Sequence, residues 1–195
     1  MTDDASTPSS SASRLAVEFC GLQLGSPIVL LSGCVGFGEE YTRIEGFSNA
    51  DVGAIVLKGT TLAPRLGNPA HRVWETPAGM LNAIGLQGIG ARRFVDEKLP
   101  ELRARGATVI VNVCGTTLDE YVEVSRVVSD AEGVAAIELN ISCPNIKEGG
   151  IQFGCSLNGT FDVVNAVRKA TRRYQTAHDS SPRRSRNHAR SFTPR

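Results

Sequence analysis

Short apolar runs alternate with longer amphipathic stretches along most of this chain. Residues 28–31, 54–58, 108–113 and 135–141 are compact, β-branched-rich and bounded by polar turns, so they read as buried strands. Between and after them, residues 39–49, 91–105, 118–130 and 159–172 have the spacing of helices. In the third, Leu118, Tyr121, Val122, Val124 and Val128 form an apolar stripe, with Thr117 or Asp119 available as a cap. In the fourth, Phe161, Val164 and Val167 are expected to face inward. Residues 17–27 alternate around Gly21 and Gly25 and read as a short hairpin. Residues 32–38 form a glycine-rich loop. Residues 59–90 make a connection longer than ordinary ones, and such loops are usually functional.

Strand followed by helix, four times over, predicts the α/β class with a parallel sheet and helical crossovers. A doubly wound sheet and a (β/α)8 barrel both satisfy that order. Every strand here ends in polar or glycine-rich chemistry, which favours the TIM-barrel type, with only the first four β/α units present.

Composition divides the chain into three. Residues 1–14 are rich in Ser, Thr and Asp and read as a disordered leader, without the basic and apolar regions of a signal peptide. Residues 15–173 have globular composition. From Tyr174 to Arg195 there is no Leu, Ile or Val, so residues 174–195 read as a basic disordered tail that cannot bury a core. The tail contributes +4 to a formal net charge of +1, leaving −3 on the other residues. Two readings of it stay open: a native solvated tail, or a reading frame lost after Arg173. The overall charge points to neither nucleic acid nor an acidic membrane, and no apolar stretch approaches a membrane span. Five cysteines without CxxC or metal spacing suit a reduced, cytoplasmic setting and no metal.

The candidate chemistry clusters where strands end. Asn140-Ile141-Ser142-Cys143-Pro144-Asn145 brings a thiol, a hydroxyl and two amides to the end of the fourth strand. Cys143 is stiffened by Pro144 in a polar, partly open setting, as a reactive thiolate needs. His71 is the one histidine outside the tail, so a Cys–His hydrolase is disfavoured. The other cysteines, at 20, 34, 114 and 155, read as structural. Lys58 closes the second strand, either as an anion partner or as a snorkelling surface lysine. Asn112 closes the third, as a ligand-facing amide or a strand terminator. Asn82-Ala83-Ile84-Gly85-Leu86 could hold a planar amide or imide edge, or be ordinary turn chemistry. The loop around Cys34 could cradle a ring or phosphate through its backbone.

Taken together, these segments resemble the flavin-dependent dihydroorotate dehydrogenases, specifically the class 1B catalytic subunit. The resemblance rests on Ser32–Gly38, Lys58-Gly59-Thr60-Thr61, Pro64–Pro69, Glu75–Gln87 and Leu139–Asn145 in that order. It implies a (β/α)8 barrel holding FMN at its C-terminal mouth and oxidising dihydroorotate to orotate in pyrimidine synthesis. By resemblance, Cys143 removes the C5 proton and the C6 hydride passes to flavin N5, with Lys58 beside both flavin and substrate. Lys58, Asn82, Ala83, Ile84, Gly85, Leu86 and Asn140 would contact substrate, and Cys34, Lys58, Gly59, Asn112 and Asn140 would contact FMN. The resemblance further implies an oligomer and a second subunit carrying FAD and an iron–sulfur cluster, which nothing in this chain could ligate. The family's later lysine, asparagine and phosphate-binding glycine loops have no counterpart here. Rival readings are an enzyme similar to dihydropyrimidine dehydrogenase and a non-catalytic barrel fragment.

Overall fold

A computed structural model describes residues 14–142 and 153–171. The expected tail over 174–195, and all but Arg14 of the expected leader, lie outside these residues. The described part is built on one four-stranded parallel sheet in the order β3 (Val29–Leu30), β4 (Ala54–Val56), β7 (Val109–Val113) and β8 (Val134–Leu139). These are the four apolar runs of the sequence, and the sheet class is as expected.

The two sheet faces differ in what they bury. Ile55, Leu57, Val109, Val111 and Val113 face a helical layer and share a core with Phe94, Leu99, Leu102, Tyr121, Val124, Val128, Val163 and Val167. Ala54, Val56 and Ile110 occupy the other face, covered at its lower end by Leu24 with Val17 and Leu22. Those residues belong to an antiparallel hairpin, β1 (Val17–Phe19) and β2 (Leu22–Leu24). Its Cys20-Gly21 turn has positive φ at both residues, the geometry a tight two-residue hairpin requires. A bulge between Val109 and Ile110 pairs Val109 with Val134 but Ile110 with Ala136. It inserts one residue into β8 and sets which of its side chains join each face.

The helices depart from expectation in three places. Residues 39–49 do not form a helix; two 3-10 turns, Tyr41–Arg43 and Asn49–Asp51, replace it. Gly46 between them is left-handed, and Ser48 and Asp51 form a capping box that starts a new turn. The helix expected over 91–105 is split into α1 (Ala91–Arg93), a π-helical turn (Phe94–Lys98) and α2 (Leu99–Ala104). Pro100 explains the widening. It has no N–H to donate and its ring crowds the carbonyl of Asp96, so Leu99 donates instead to Phe94, five residues back.

The inward face of α4 (Leu157–Ala170) is the third correction. Val163 and Val167 are buried, whereas Phe161 is 66% and Val164 41% exposed. The helix leans on α3 (Leu118–Ser129), and among the described residues no strand lies beyond β8 to cover the Phe161 side. The long connection also holds an unexpected element, a hairpin of β5 (Val73–Thr76) and β6 (Gly79–Asn82). Every residue in it is exposed, so it shows none of the buried–exposed alternation by which strands are read from sequence. Among the described residues, no helix is long and apolar enough to cross a membrane.

The turn from β7 into α3 is fixed electrostatically. Thr117 caps the helix, accepting from the Glu120 N–H, and the Glu120 carboxylate accepts 2.6 Å bonds from both the Thr116 N–H and its hydroxyl. Those bonds to the ionised form hold the Glu120 pKa below the ordinary 4.5. A depressed folded-state pKa gives stability that is full above the unfolded value and is lost as pH falls through the folded one. We therefore expect melting temperature to drop on acidification between about pH 6 and pH 3, and Glu120→Gln to remove part of that dependence. Thermal melts of both proteins across that range measure it.

Candidate functional site

Alternation along the strands carries Asn112 and Glu138 to the same sheet face as Ile110 and Ala136, one step nearer the C-terminal end. Lys58 and Asn140 extend that face just past β4 and β8. Four polar side chains thus sit above an apolar floor at the carboxyl end of a parallel sheet, where such folds place their chemistry.

Asn112 is the hub. It is 3% exposed. Its Oδ1 accepts from Asn140 Nδ2 at 3.1 Å and from the Cys114 thiol at 3.5 Å, and its Nδ2 donates to Glu138 Oε1. Its backbone carbonyl accepts from Thr60 N at 2.7 Å, and Cys114 N returns a bond to the Thr60 carbonyl. Asn112 is thereby committed to protein partners, whereas among the described residues nothing pairs with Asn140 Oδ1. Tyr121, wholly buried, donates its hydroxyl to the Asn140 carbonyl at 2.6 Å. It also packs edge-on against Phe153 at 5.8 Å between ring centres.

Gly59 brings the long loop to this network. A Cβ there would lie 2.8 Å from Cys114 Sγ and 3.3 Å from both Asn112 Oδ1 and Leu86 Cδ2. The loop itself is knit from within. Asn68 donates through its side chain to the Ala83 carbonyl and through its backbone to that of Ile84. Arg72 reaches the Leu66 and Asn68 carbonyls and, at 2.5 Å, Gln87 Oε1. Gly85 is left-handed and pressed on Asn68, so only glycine fits. Lys58 is half-buried, and its N–H donates to the Gly36 carbonyl at 2.8 Å. It lines a cavity of about 480 Å³ with Phe37, Glu40, Arg65 and Gln87. Among the described residues its ammonium has no partner.

Comparison with known proteins identifies the family. The family profile for dihydroorotate dehydrogenase matches residues 14–178. The chain belongs to the dihydroorotate dehydrogenase family. It is 54% identical over 158 residues to the dihydroorotate dehydrogenase B (NAD+) catalytic subunit of Geobacillus kaustophilus, covering 81% of this chain and 50% of that protein. The subunit of the same name from Cutibacterium acnes is 51% identical, over 79% of this chain and 50% of its own. The chain thus spans about half the length of the curated relatives it matches. In fold it is similar to the dihydroorotate dehydrogenase of Eimeria tenella solved with ferulenol, at a TM-score of 0.61 and 20% identity, over 80% of this chain and 43% of that one.

Of the positions that the dihydroorotate dehydrogenase resemblance singled out, Gly59, Leu86, Asn112 and Asn140 come together, and Lys58 shares their face. Asn82 sits instead on the exposed hairpin, paired with Val73, and Ala83 follows it, also exposed. Ile84 and Gly85 serve the loop's own packing. Cys34 is exposed, its N–H closing a turn onto the Leu31 carbonyl. Cys143 lies outside the described residues. The residues flanking it are held together nonetheless: a Cβ on Gly154 would lie 2.3 Å from the Ile141 carbonyl oxygen.

Sequence reasoning overlooked Glu138, Cys114, Tyr121, Asn68 and Arg72. Glu138 did leave a signal, as a lone charge in an apolar strand two residues before Asn140. Cys114 follows Asn112 at the same spacing. Tyr121 looked like any stripe residue, and nothing local distinguishes Arg72.

The packing at Gly59 gives a paired prediction. Gly59→Ala must displace Cys114 or Asn112 and is expected to cost about 1–3 kcal/mol. Gly79→Ala, which meets open space, should be nearly neutral. Urea denaturation of the two variants distinguishes them, and equal stabilities would contradict the described contact.

Proposed function

We propose that this chain is the first half, four β/α units, of a (β/α)8 barrel that oxidises dihydroorotate to orotate with FMN in pyrimidine synthesis. The observation that carries the reading is the Asn112–Asn140 amide pair at the carboxyl end of the sheet, in a chain about half identical to B-type catalytic subunits. The donor set suits the group. Among the described residues, Asn140 offers an unengaged Oδ1 beside an N–H, which matches the imide edge of a flat heterocycle, and Lys58 offers an unpaired ammonium. Asn112 holds the Asn140 amide in orientation, and Tyr121 holds its backbone.

FMN, when bound, supplies the acceptor for the C6 hydride. Cys143 would take the C5 proton, made acidic by the neighbouring carbonyl, and Lys58 would contact both flavin and substrate. Residues from Asn82 to Leu86 would hold the substrate, and backbone at Cys34 and Gly59 would contact the cofactor. The loops that grip the FMN phosphate belong on this reading to the second half, since barrels of this type build that site after strands seven and eight. A second subunit carrying FAD and an iron–sulfur cluster would take the electrons onward, in the cytoplasm.

The test is a chimera joining residues 14–171 to the C-terminal half of the Geobacillus kaustophilus protein. It should bind FMN and form orotate. In it, Cys143→Ser should lower turnover near neutral pH by about 10²- to 10⁴-fold, with partial recovery as pH rises and flavin binding retained. An unchanged rate removes Cys143 from the mechanism. The 195-residue chain by itself should show neither flavin absorbance nor orotate formation.

A further inference from the structure

Glu138 is the one charge in an otherwise apolar strand, and it stands opposite Asn112 in the β7–β8 ladder. The bulge at Val109 fixes that pairing. Among the described residues Glu138 joins no ion pair; its carboxylate takes the Asn112 side-chain N–H instead. A carboxylate accepts and does not donate. Asn112 has both a donor end and an acceptor end, and it is buried, so each end must find its partner in the protein. With Nδ2 turned to Glu138, Oδ1 points the other way and takes Asn140 Nδ2 at 3.1 Å. Asn140 is then left with its oxygen outward. The reversed order would set Asn112 Oδ1 against the carboxylate, acceptor to acceptor, and leave a buried amide half-bonded. The Cys114 thiol lies 3.5 Å from the same Oδ1 but does not decide the order, because a thiol both donates and accepts weakly.

We propose that Glu138 is a positioning residue that sets the hydrogen-bond polarity of the site. Its carboxylate fixes the Asn112 amide, and Asn112 in turn fixes the Asn140 amide with its oxygen toward the ligand. Tyr121 holds the Asn140 backbone but does not choose which end of the side-chain amide faces out. Of the three linked side chains, Glu138 is the one that can bond in a single sense. The consequence for the ligand is one of chemical class and rests on the flavin reading. An outward oxygen calls for a ring N–H, as an imide or ureide carries, and disfavours a bare carbonyl at that point. A side chain of similar length would fill the sheet face whatever its hydrogen-bonding sense, so acceptor and donor replacements separate this role from a merely structural one.

Side-chain amide exchange, followed by NMR on the isotope-labelled 195-residue chain without ligand, reads the polarity. The Asn140 signal is identified by its loss in Asn140→Ala. One of its two amide protons should be protected, and Glu138→Gln, which still offers an oxygen, should keep it so. Glu138→Lys offers donors only and turns both amides over, so that proton should exchange about tenfold faster, the loss of one hydrogen bond. Glu138→Leu, which offers neither, should raise the rate as well. Glu138 is exposed, so far-UV circular dichroism should stay native in all three. Protection unchanged in the Lys and Leu variants overturns the proposal, as does its loss in Glu138→Gln. A second arm titrates FMN and orotate separately into the Geobacillus kaustophilus chimera. Glu138→Lys should weaken whichever of them meets the Asn140 oxygen about tenfold, with Glu138→Gln close to the parent. If the exchange pattern holds while neither affinity changes, Glu138 orders the amides as proposed and the flavin reading is what fails.

Discussion

One buried amide ties three strand ends together. Asn112 on β7 accepts from Asn140 beyond β8 and from Cys114, donates to Glu138, and through its carbonyl receives Thr60 beyond β4. A buried side chain with unmade bonds would cost about 1–3 kcal/mol for each group, so the local geometry is held to the arrangement that satisfies all of them. That arrangement depends on the parallel register of β4, β7 and β8 and on the bulge at Val109. Without the bulge, β8 would present the opposite set of side chains and Asn140 would face the helices.

The long loop depends on the same point. Gly59 lets it approach until Leu86 touches the Asn112 neighbourhood. Asn68 and Arg72 then fix the segment from Leu66 to Gln87 by hydrogen bonds to its own backbone and side chains. The hairpin it carries stands out in solvent with Trp74, Met80 and Leu81 exposed. The anchored base and the exposed tip therefore differ in constraint: one is set by the sheet, the other by a turn and four backbone pairings.

What could be read from the sequence was what depends on periodicity. The four strands, α3 with its Thr117 cap, and the β1–β2 hairpin all carry a local pattern that matches their burial. The pairing of Asn112 with Asn140 was readable because each is a polar residue ending an apolar run. The misses have specific causes. Gly46 and the Ser48 capping box ended a helix that composition alone allowed. Pro100 was tolerated by widening the turn before it rather than by ending the helix. Phe161 and Val164 read as core because an apolar stripe does not say whether anything covers it. Arg72 and Asn68 act through backbone carbonyls of residues up to sixteen positions away, which no local pattern records.

The central claim is that Asn140, oriented by Asn112 and Tyr121, presents its amide to a flat ligand at the carboxyl end of the sheet. Titration of FMN into the apo form of the Geobacillus kaustophilus chimera, with and without Asn140→Ala, tests it most directly. The account expects the substitution to weaken FMN binding about tenfold or more, the loss of one to two amide hydrogen bonds, while the folded fraction is unchanged. Equal FMN affinity for both proteins would contradict it.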